Sequence, residues 1–369
     1  MGMGGWHGAG RSQSVGATMK AGVFRRLTRW IWRLLLVSAV LCGVVAVLKW
    51  TVFTGTPSFA LWHEDEAFRI EDLPALVKPD GRDFRILLLS DLQLEANPFV
   101  DPGTLAMVDD LVAKTDPDLI LTDGDNTYLP LQALMAGVLV RQLDKYGIPW
   151  DVTLGNHDAQ FLADRNWHAN RYAAGRNSLF QAGPSNIHGV GNHALRVTDT
   201  AGRTLSALVL MDSHTERRYA EGMDYDAFYP DQIRWYEWLM AGLAQDGRQI
   251  PSMLFFHIPL PEFQTLSDDW SAGKLPAGSF IGENREKVCA APVNSGMFEA
   301  VKASGNSTHI FVGHDHVNCL SAAYEGVRLT YGLKTGADSY NDPDLQGGTL
   351  ITLRDGSAEV DVAHVFMNK

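Results

Sequence analysis

Acidic residues are absent from the first 63 positions of the chain, although the whole chain carries a formal net charge of −12. Seven of the 31 basic residues fall in this stretch, which leaves 24 bases against all 43 acids in the remainder, a net charge of −19 there. Binding of nucleic acid requires clustered lysine and arginine. The charge therefore implies no nucleic-acid partner, and bound cations would offset part of the acidic excess.

Cysteine is scarce: the chain has only Cys42, Cys289 and Cys319, and no two cysteines form a C-x-x-C pair. The lack of such a pair argues against a zinc site built from thiolates. In an oxidising compartment Cys289 and Cys319 are able to form a disulfide. The sequence does not fix the distance between them.

One apolar run, residues 34–53, is long enough to cross a bilayer as a helix, and it follows a basic segment, residues 1–33. By the positive-inside tendency, the basic flank stays in the cytoplasm and the rest of the chain is exported. We therefore expect a single-pass membrane anchor with an extracytoplasmic body. The alternatives are a signal peptide cleaved near residues 58–60, which would give a secreted protein, and a buried core helix, which the basic flank disfavours.

After a linker expected at residues 54–82, strand-like and helix-like runs alternate from FRILLLS at residue 84 to PWDVTLGN at residue 149. This βαβαβ alternation is typical of a mostly parallel sheet. Residues 193–213 read as two strands around a turn, which predicts an antiparallel addition. Further strands follow up to residue 366. We therefore expect a single α/β domain over residues 83–369.

Metal-ligand side chains follow the apolar strands of this domain within a residue or two of each strand end. They are Asp91, Asp125, Asn156, His257, His314 and His316. Carboxylate, amide oxygen and imidazole nitrogen together suit manganese, iron or zinc. Any one of these residues is weak evidence, but five strand ends of this kind in one order indicate a metal site.

These blocks resemble those of the calcineurin-like metallophosphoesterases, which run D-x-H, GD, GNH followed by D or E, a lone H, and GH-x-H. The segments GPSNIHGVGN, LMDSH, FFHIPLPEF and GHDHVN further resemble the purple-acid-phosphatase-like branch of plants and fungi. The resemblance covers about residues 84 to 340. It implies an αββα fold, in which two mixed β-sheets are sandwiched between helices.

The resemblance also implies a site with two metal ions, a geometry suited to in-line displacement at phosphorus. Asp125 would bridge the ions. The other ligands would be Asp91 and His316 for one ion, and Asn156, His257 and His314 for the second. His157 would face the leaving-group oxygen, Asp158 would orient the ring of His157, and a metal-bound hydroxide would be the nucleophile.

The function implied is a membrane-anchored phosphatase that hydrolyses phosphate esters. One alternative is a phosphodiesterase that acts on a lipid headgroup or a nucleotide. Another is a metal-binding protein whose catalysis has lapsed, because Gln93 stands where the D-x-H block has its histidine. The intact GNHD block argues against the second alternative.

Tyr128 offers an explanation for Gln93. A tyrosine three positions after the bridging aspartate resembles the GD-x-x-Y block of true purple acid phosphatases, which also lack this histidine and whose tyrosine ligates ferric iron. The resemblance then implies iron paired with zinc or manganese, with Tyr128 as a ligand. Gln93 would contribute an amide oxygen or hold a water molecule. An ordinary loop aromatic is the alternative interpretation of Tyr128.

Overall fold

The computed structural model describes residues 12–55 and 60–367. The chain divides into two units, residues 1–52 and residues 53–369. The first unit contains one continuous helix, α1, over Ser12–Val52. Its part Phe24–Val52 is long and apolar enough to cross a membrane, since 29 residues of helix measure about 40 Å. A signal sequence near the amino terminus has the same length and composition. The predicted segment 34–53 thus belongs to a longer helix, and residues 1–11 lie outside the described residues.

The second unit alternates strands and helices, as predicted. Its helices are α2 (Asp101–Thr115), α3 (Gln132–Asp144), α4 (Arg165–Ala173), α5 (Pro230–Leu243), α6 (Glu262–Ser271) and α7 (Met297–Ser304). Its strands are β1 (Ala75–Val77), β2 (Phe84–Leu89), β3 (Leu119–Thr122), β4 (Trp150–Val152), β5 (His193–Thr198), β6 (Thr204–Leu210), β7 (Glu216–Tyr219), β8 (Gly222–Tyr225), β9 (Ser252–Phe255), β10 (Phe280–Ile281), β11 (Ser307–Val312), β12 (Ser321–Tyr324), β13 (Val327–Tyr331), β14 (Gly347–Leu353) and β15 (Val360–Phe366).

The strands form two large mixed sheets and one small hairpin. The eight-stranded sheet has the order β1-β5-β6-β9-β11-β13-β12-β10, and the five-stranded sheet has the order β15-β14-β2-β3-β4. Strands β2, β3 and β4 are parallel to one another, as are β6, β9, β11 and β13. The predicted β5–β6 hairpin is antiparallel. Strands β7 and β8 pair with each other in a two-stranded sheet.

Strand β2 shows why the apolar run at residues 86–89 is continuous. Ile86 and Leu88 face the core between the two sheets, together with residues of the opposite sheet such as Phe255. Leu87 and Leu89 point the other way, into the core beneath α2, α3 and α4. A strand that is buried on both faces requires apolar residues at every position. The outer face of the eight-stranded sheet is covered by α5, α6 and α7, so the predicted αββα layering is confirmed.

The segment expected to be a linker, residues 54–82, differs from the prediction. Trp62, Phe68 and Ile70 are buried in the core under α5, and β1 pairs in parallel with β5. Residues from 60 onward therefore belong to the folded unit. Isolated apolar residues and a strand of three residues give no periodic pattern, so the sequence does not reveal these contacts.

The two cysteines of the second unit do not form a disulfide in the structure. Cys319 is buried, and its carbonyl oxygen lies 2.7 Å from Nε2 of His364. Cys289 is half-buried. The disulfide between Cys289 and Cys319 that the sequence allows is therefore not formed in the structure.

Candidate metal centre

The predicted ligands meet because their strands are parallel neighbours. Strands β2, β3 and β4 are adjacent, and they are followed by Asp91, Asp125 and Asn156. Strands β9 and β11 are adjacent in the other sheet, and they are followed by His257 and the segment His314–His316. The carboxyl ends of parallel strands are where α/β proteins place ligands. Here the two sheets bring two such edges together.

His257 lies at the centre of one ligand group. Its Nε2 atom is 3.2 Å from Oδ2 of Asp125, 3.1 Å from Oδ1 of Asn156 and 3.3 Å from Nδ1 of His314. Potential ligand atoms of Asp125, His257 and His314 all lie within 4.8 Å of one another. These are the residues expected around one of the two ions.

The second ligand group shares Asp125. Ligand atoms of Asp91, Asp125 and His316 also lie within 4.8 Å of one another, and so do those of Asp91, Asp123 and His257. Nε2 of His316 is 3.5 Å from Oδ1 of Asp91, which is long for a hydrogen bond. The structure thus brings the six ligands predicted at the strand ends into two groups that share Asp125.

Unsatisfied polar atoms test whether a cation fits this cluster. Oδ1 of Asp91 and Nε2 of His314 are buried and have no hydrogen-bond partner among the described residues. Burial of a polar atom without a partner is costly unless it coordinates a metal. A carboxylate oxygen and an imidazole nitrogen that are left open in the same cluster fit a bound metal ion.

The other oxygen of each central aspartate is held by the backbone. The amide of His314 donates to Oδ2 of Asp91 at 3.0 Å, and the amide of His157 donates to Oδ1 of Asp125 at 2.8 Å. These hydrogen bonds require the backbone to approach each aspartate closely, which explains why positions 155 and 313 are glycine. A Cβ at Gly155 would overlap Asp125, and a Cβ at Gly313 would lie 2.7 Å from Oδ2 of Asp91. Each aspartate is thus fixed through one oxygen, while Oδ1 of Asp91 stays open and Oδ2 of Asp125 faces His257.

Backbone strain is concentrated at the same residues. Asp91, Asp125 and His314 have positive φ angles of 50°, 48° and 77°. Such conformations are disfavoured for residues other than glycine and cluster at functional sites. The strain supports a site whose geometry is held by the surrounding fold.

Comparison with known proteins agrees with this geometry. The profile of the family described as calcineurin-like phosphoesterase matches residues 84–318. The chain belongs to the calcineurin-like phosphoesterase family. Its purple-acid-phosphatase-like relatives confirm the branch that the sequence segments indicated.

Two relatives from Arabidopsis thaliana carry similar names. "Probable inactive purple acid phosphatase 14" is 28% identical over 298 residues, which cover 71% of this chain and 72% of the relative. "Probable inactive purple acid phosphatase 29" is 30% identical over 264 residues, which cover 65% of each chain. "Phosphatase DCR2" of Saccharomyces cerevisiae is 27% identical over 281 residues, which cover 66% of this chain and 46% of that protein.

Burial and neighbouring charges shift the pKa values of the histidines and aspartates in this cluster in different directions. Burial lowers the pKa of His257, but Asp125 and Asp91 outweigh burial and hold it at about 10. Burial and the charge of His257 lower the pKa of His314 to about 3. Burial raises the pKa of Asp125, yet His257 brings it below its ordinary range. Burial and the charge of Asp91 raise the pKa of Asp123 to about 8. Protons therefore compete with a metal ion for this cluster.

His157 of the GNHD block lies at the rim of the centre. Its Nε2 atom is 3.8 Å from Oδ2 of Asp125, and its side chain is 25% exposed. Its ring packs edge to face on Tyr128, with centroids 4.7 Å apart. This contact gives Tyr128 a role that needs no metal ligation, and ligation of iron by Tyr128 stays a prediction.

Asp158 has a different role from the one expected. Its carboxylate accepts hydrogen bonds from the backbone amides of Asn126, Thr127 and Gly155, at 3.2, 2.9 and 2.9 Å. Nδ1 of His157 is buried and has no partner within the described part of the chain. Asp158 therefore does not orient the ring of His157. It joins the loop after β3 to the loop after β4, and these loops carry Asp125 and Asn156.

Gln93 is in the centre, but its amide oxygen is already engaged. Oε1 of Gln93 accepts a hydrogen bond of 2.8 Å from Nζ of Lys334, and Nε2 lies 3.4 Å from Oδ2 of Asp125. The interpretation of Gln93 as a ligand therefore receives no support from these contacts, and it stays a prediction.

Three residues at the centre were not predicted. Asp123 accepts a hydrogen bond from the Ser90 hydroxyl. Lys334 is buried behind Gln93. Tyr225, from the β7–β8 hairpin, packs on His314 with ring centroids 4.4 Å apart. The first aspartate of TDGD was a usable signal for Asp123, whereas no local pattern marks Lys334 or Tyr225.

Proposed function

We propose that the chain is a phosphoesterase that hydrolyses phosphate esters with two metal ions. The observation that carries the proposal is the pair of ligand groups that share Asp125, with open ligand atoms on Asp91 and His314. Bound metal ions supply charge stabilisation at phosphorus and activation of water. The chain's own residues position the ions, and the substrate approaches from the rim where His157 is exposed.

His157 is proposed to donate a proton to the leaving-group oxygen. Its ring is the partly exposed imidazole beside the bridging aspartate, and its backbone amide is bonded to Asp125. A proton donor at this position contributes roughly 10²–10⁴-fold to turnover. Tyr128, on the face of the His157 ring, restricts the orientation of the donor.

The test uses the full chain in detergent, with metal analysis and a panel of phosphomonoesters and phosphodiesters that includes nucleotides and glycerophosphodiesters. We expect bound metal and hydrolysis of at least one class. His157→Ala should retain the metal and lower turnover by roughly 10²–10⁴-fold. His63→Ala, at an exposed histidine in the segment before β1, is the matched control and should be unchanged. Loss of metal in His157→Ala would contradict the assigned role.

A metal-binding protein without catalysis is the second candidate. The engagement of Gln93 by Lys334 favours it, and so do the names of the two Arabidopsis relatives. In that case the chain would hold metal but hydrolyse no ester of the panel, and His157→Ala would have no effect on any property of the site.

We further propose that α1 anchors the protein as a single-pass membrane segment with the phosphoesterase unit outside the cytoplasm. The apolar part Phe24–Val52 and the six basic residues within residues 1–33 support this orientation. A topology reporter fused after Lys369 should then report a location outside the cytoplasm. The protein should also stay in the membrane fraction after a carbonate wash. A cytoplasmic signal would overturn the orientation, and release into the medium would indicate a cleaved signal peptide.

A further inference from the structure

Lys334 is a buried cation next to the metal centre. It follows β13, is 2% exposed, and its Nζ atom donates to the backbone oxygen of Asp91 at 3.1 Å and to Oε1 of Gln93 at 2.8 Å. A lysine is rarely buried to this extent without a specific role. Its two oxygen acceptors belong to the block that holds a metal ligand.

These contacts fix the orientation of the Gln93 amide. With Oε1 on Lys334, the Nε2 hydrogens face Oδ2 of Asp125 at 3.4 Å. Exchange of the two amide atoms would set the NH₂ group against an ammonium group and the oxygen against a carboxylate. Lysine has only donors and an ionised carboxylate only acceptors. The orientation with Oε1 on Lys334 is therefore strongly preferred, and in this orientation the NH₂ group of Gln93 faces the metal centre.

The two halves of the centre then differ in their ligands. One half has Asn156, His257 and His314 beside the bridging Asp125, and the other has Asp91 and His316 beside it. The position that would supply a further ligand to the second half is Gln93. Its NH₂ group cannot bind a cation, and the Lys334 ammonium adds a positive charge behind it.

We propose that Lys334 holds Gln93 as a non-ligand, so that the two metal sites are unequal and the Asp91–His316 site binds a divalent ion weakly. The inference rests on the proposed two-metal phosphoesterase. It concerns divalent ions, because the ligation predicted for Tyr128 applies to ferric iron. One metal ion would then stay bound, whereas occupancy of the Asp91–His316 site would depend on the concentration of free metal.

The experiment is a calorimetric titration of the metal-free full chain in detergent with Mn²⁺. We expect one tight and one weak equivalent. Lys334→Met should tighten the weak equivalent by about 10–100-fold, the effect of removing one nearby positive charge at an intermediate dielectric, and leave the tight equivalent unchanged. The matched control is Lys78→Met, at a lysine that is also buried (6% exposed) but pairs with Asp355. It should leave both equivalents unchanged.

Gln93→Ala provides a test that does not depend on the folding of the Lys334 variant. A residue that is not a ligand can be removed without weakening either equivalent, whereas loss of a true ligand would weaken one by tenfold or more. Weakening in Gln93→Ala, two equal equivalents in the wild type, or no tightening in folded Lys334→Met would each overturn the inference. Absence of any Mn²⁺ binding would instead refute the proposed function. Two bound ions without ester hydrolysis would leave the inference standing and refute only the enzymatic proposal.

Discussion

Replacement of Asp158 by alanine is expected to destabilise the fold rather than to impair only the chemistry. Three buried backbone amides, those of Asn126, Thr127 and Gly155, would lose their acceptor. Each unsatisfied buried donor costs about 1–3 kcal/mol. Part of the loss is offset because the buried carboxylate is itself costly, as its pKa is raised by burial and by Asp125. We therefore expect the free energy of unfolding to fall by about 3–5 kcal/mol.

The assay is urea unfolding followed by circular dichroism, with metal content measured on the same samples. A loss of this size is a large part of the stability of a typical domain, which is about 5–15 kcal/mol. Metal affinity should fall as well, because the loops joined by Asp158 carry Asp125 and Asn156. Asp110→Ala, at an exposed aspartate of α2, is the control. Wild-type stability and metal content in Asp158→Ala, combined with slow turnover, would refute this reasoning and restore Asp158 as the residue that orients His157.

Three further predictions concern protons and metal identity. His257 has a pKa of about 10 and must lose its proton to bind a metal, so metal affinity should rise about tenfold per pH unit from pH 7 to 9. Calorimetry in buffers of different ionisation enthalpy should detect the released proton. A pH-independent metal affinity would contradict the assignment of His257 as a ligand. Burial lowers the pKa of His168 to about 3, below its ordinary value near 6.5. Stability should therefore be full above pH 6.5 and fall as the pH drops, by about 2 kcal/mol at pH 5; His168→Phe should remove this part of the pH dependence in urea unfolding, and an unchanged slope would count against it. If Tyr128 ligates ferric iron, the purified protein should absorb in the visible range and Tyr128→Phe should abolish the band; a colourless, active protein that is indifferent to this change would return Tyr128 to its packing role on His157.

The sequence predicted the parts of the molecule that depend on local patterns. The run at residues 86–89 is apolar because β2 is buried on both faces, and such a run is visible without knowledge of its neighbours. The predicted ligands lie close together for a related reason. Each follows a strand directly, and parallel strands end at one edge.

The parts that were missed depend on contacts between distant segments. Strand β1 has three residues and exists because β5 lies beside it. The role of Asp158 depends on which amides surround it, and an acid after GNH fits a ring-orienting role equally well. In the sequence, Lys334 ends the segment YGLK after an apolar strand, which predicts a solvent-exposed lysine. Only the fold shows that Asp91 and Gln93 lie around it.

The backbone amide of His314 that holds Asp91 has a consequence for the order of assembly. The two residues are 223 positions apart in the chain, and they follow strands of different sheets, β2 and β11. Asp91 cannot be held in its final position before β11 has been made and has packed beside β9. If the centre binds metal as proposed, loading is therefore a late event in the life of each molecule. The ions would then be drawn from the compartment where folding is completed, and the supply in that compartment would select among the metals that the ligands accept.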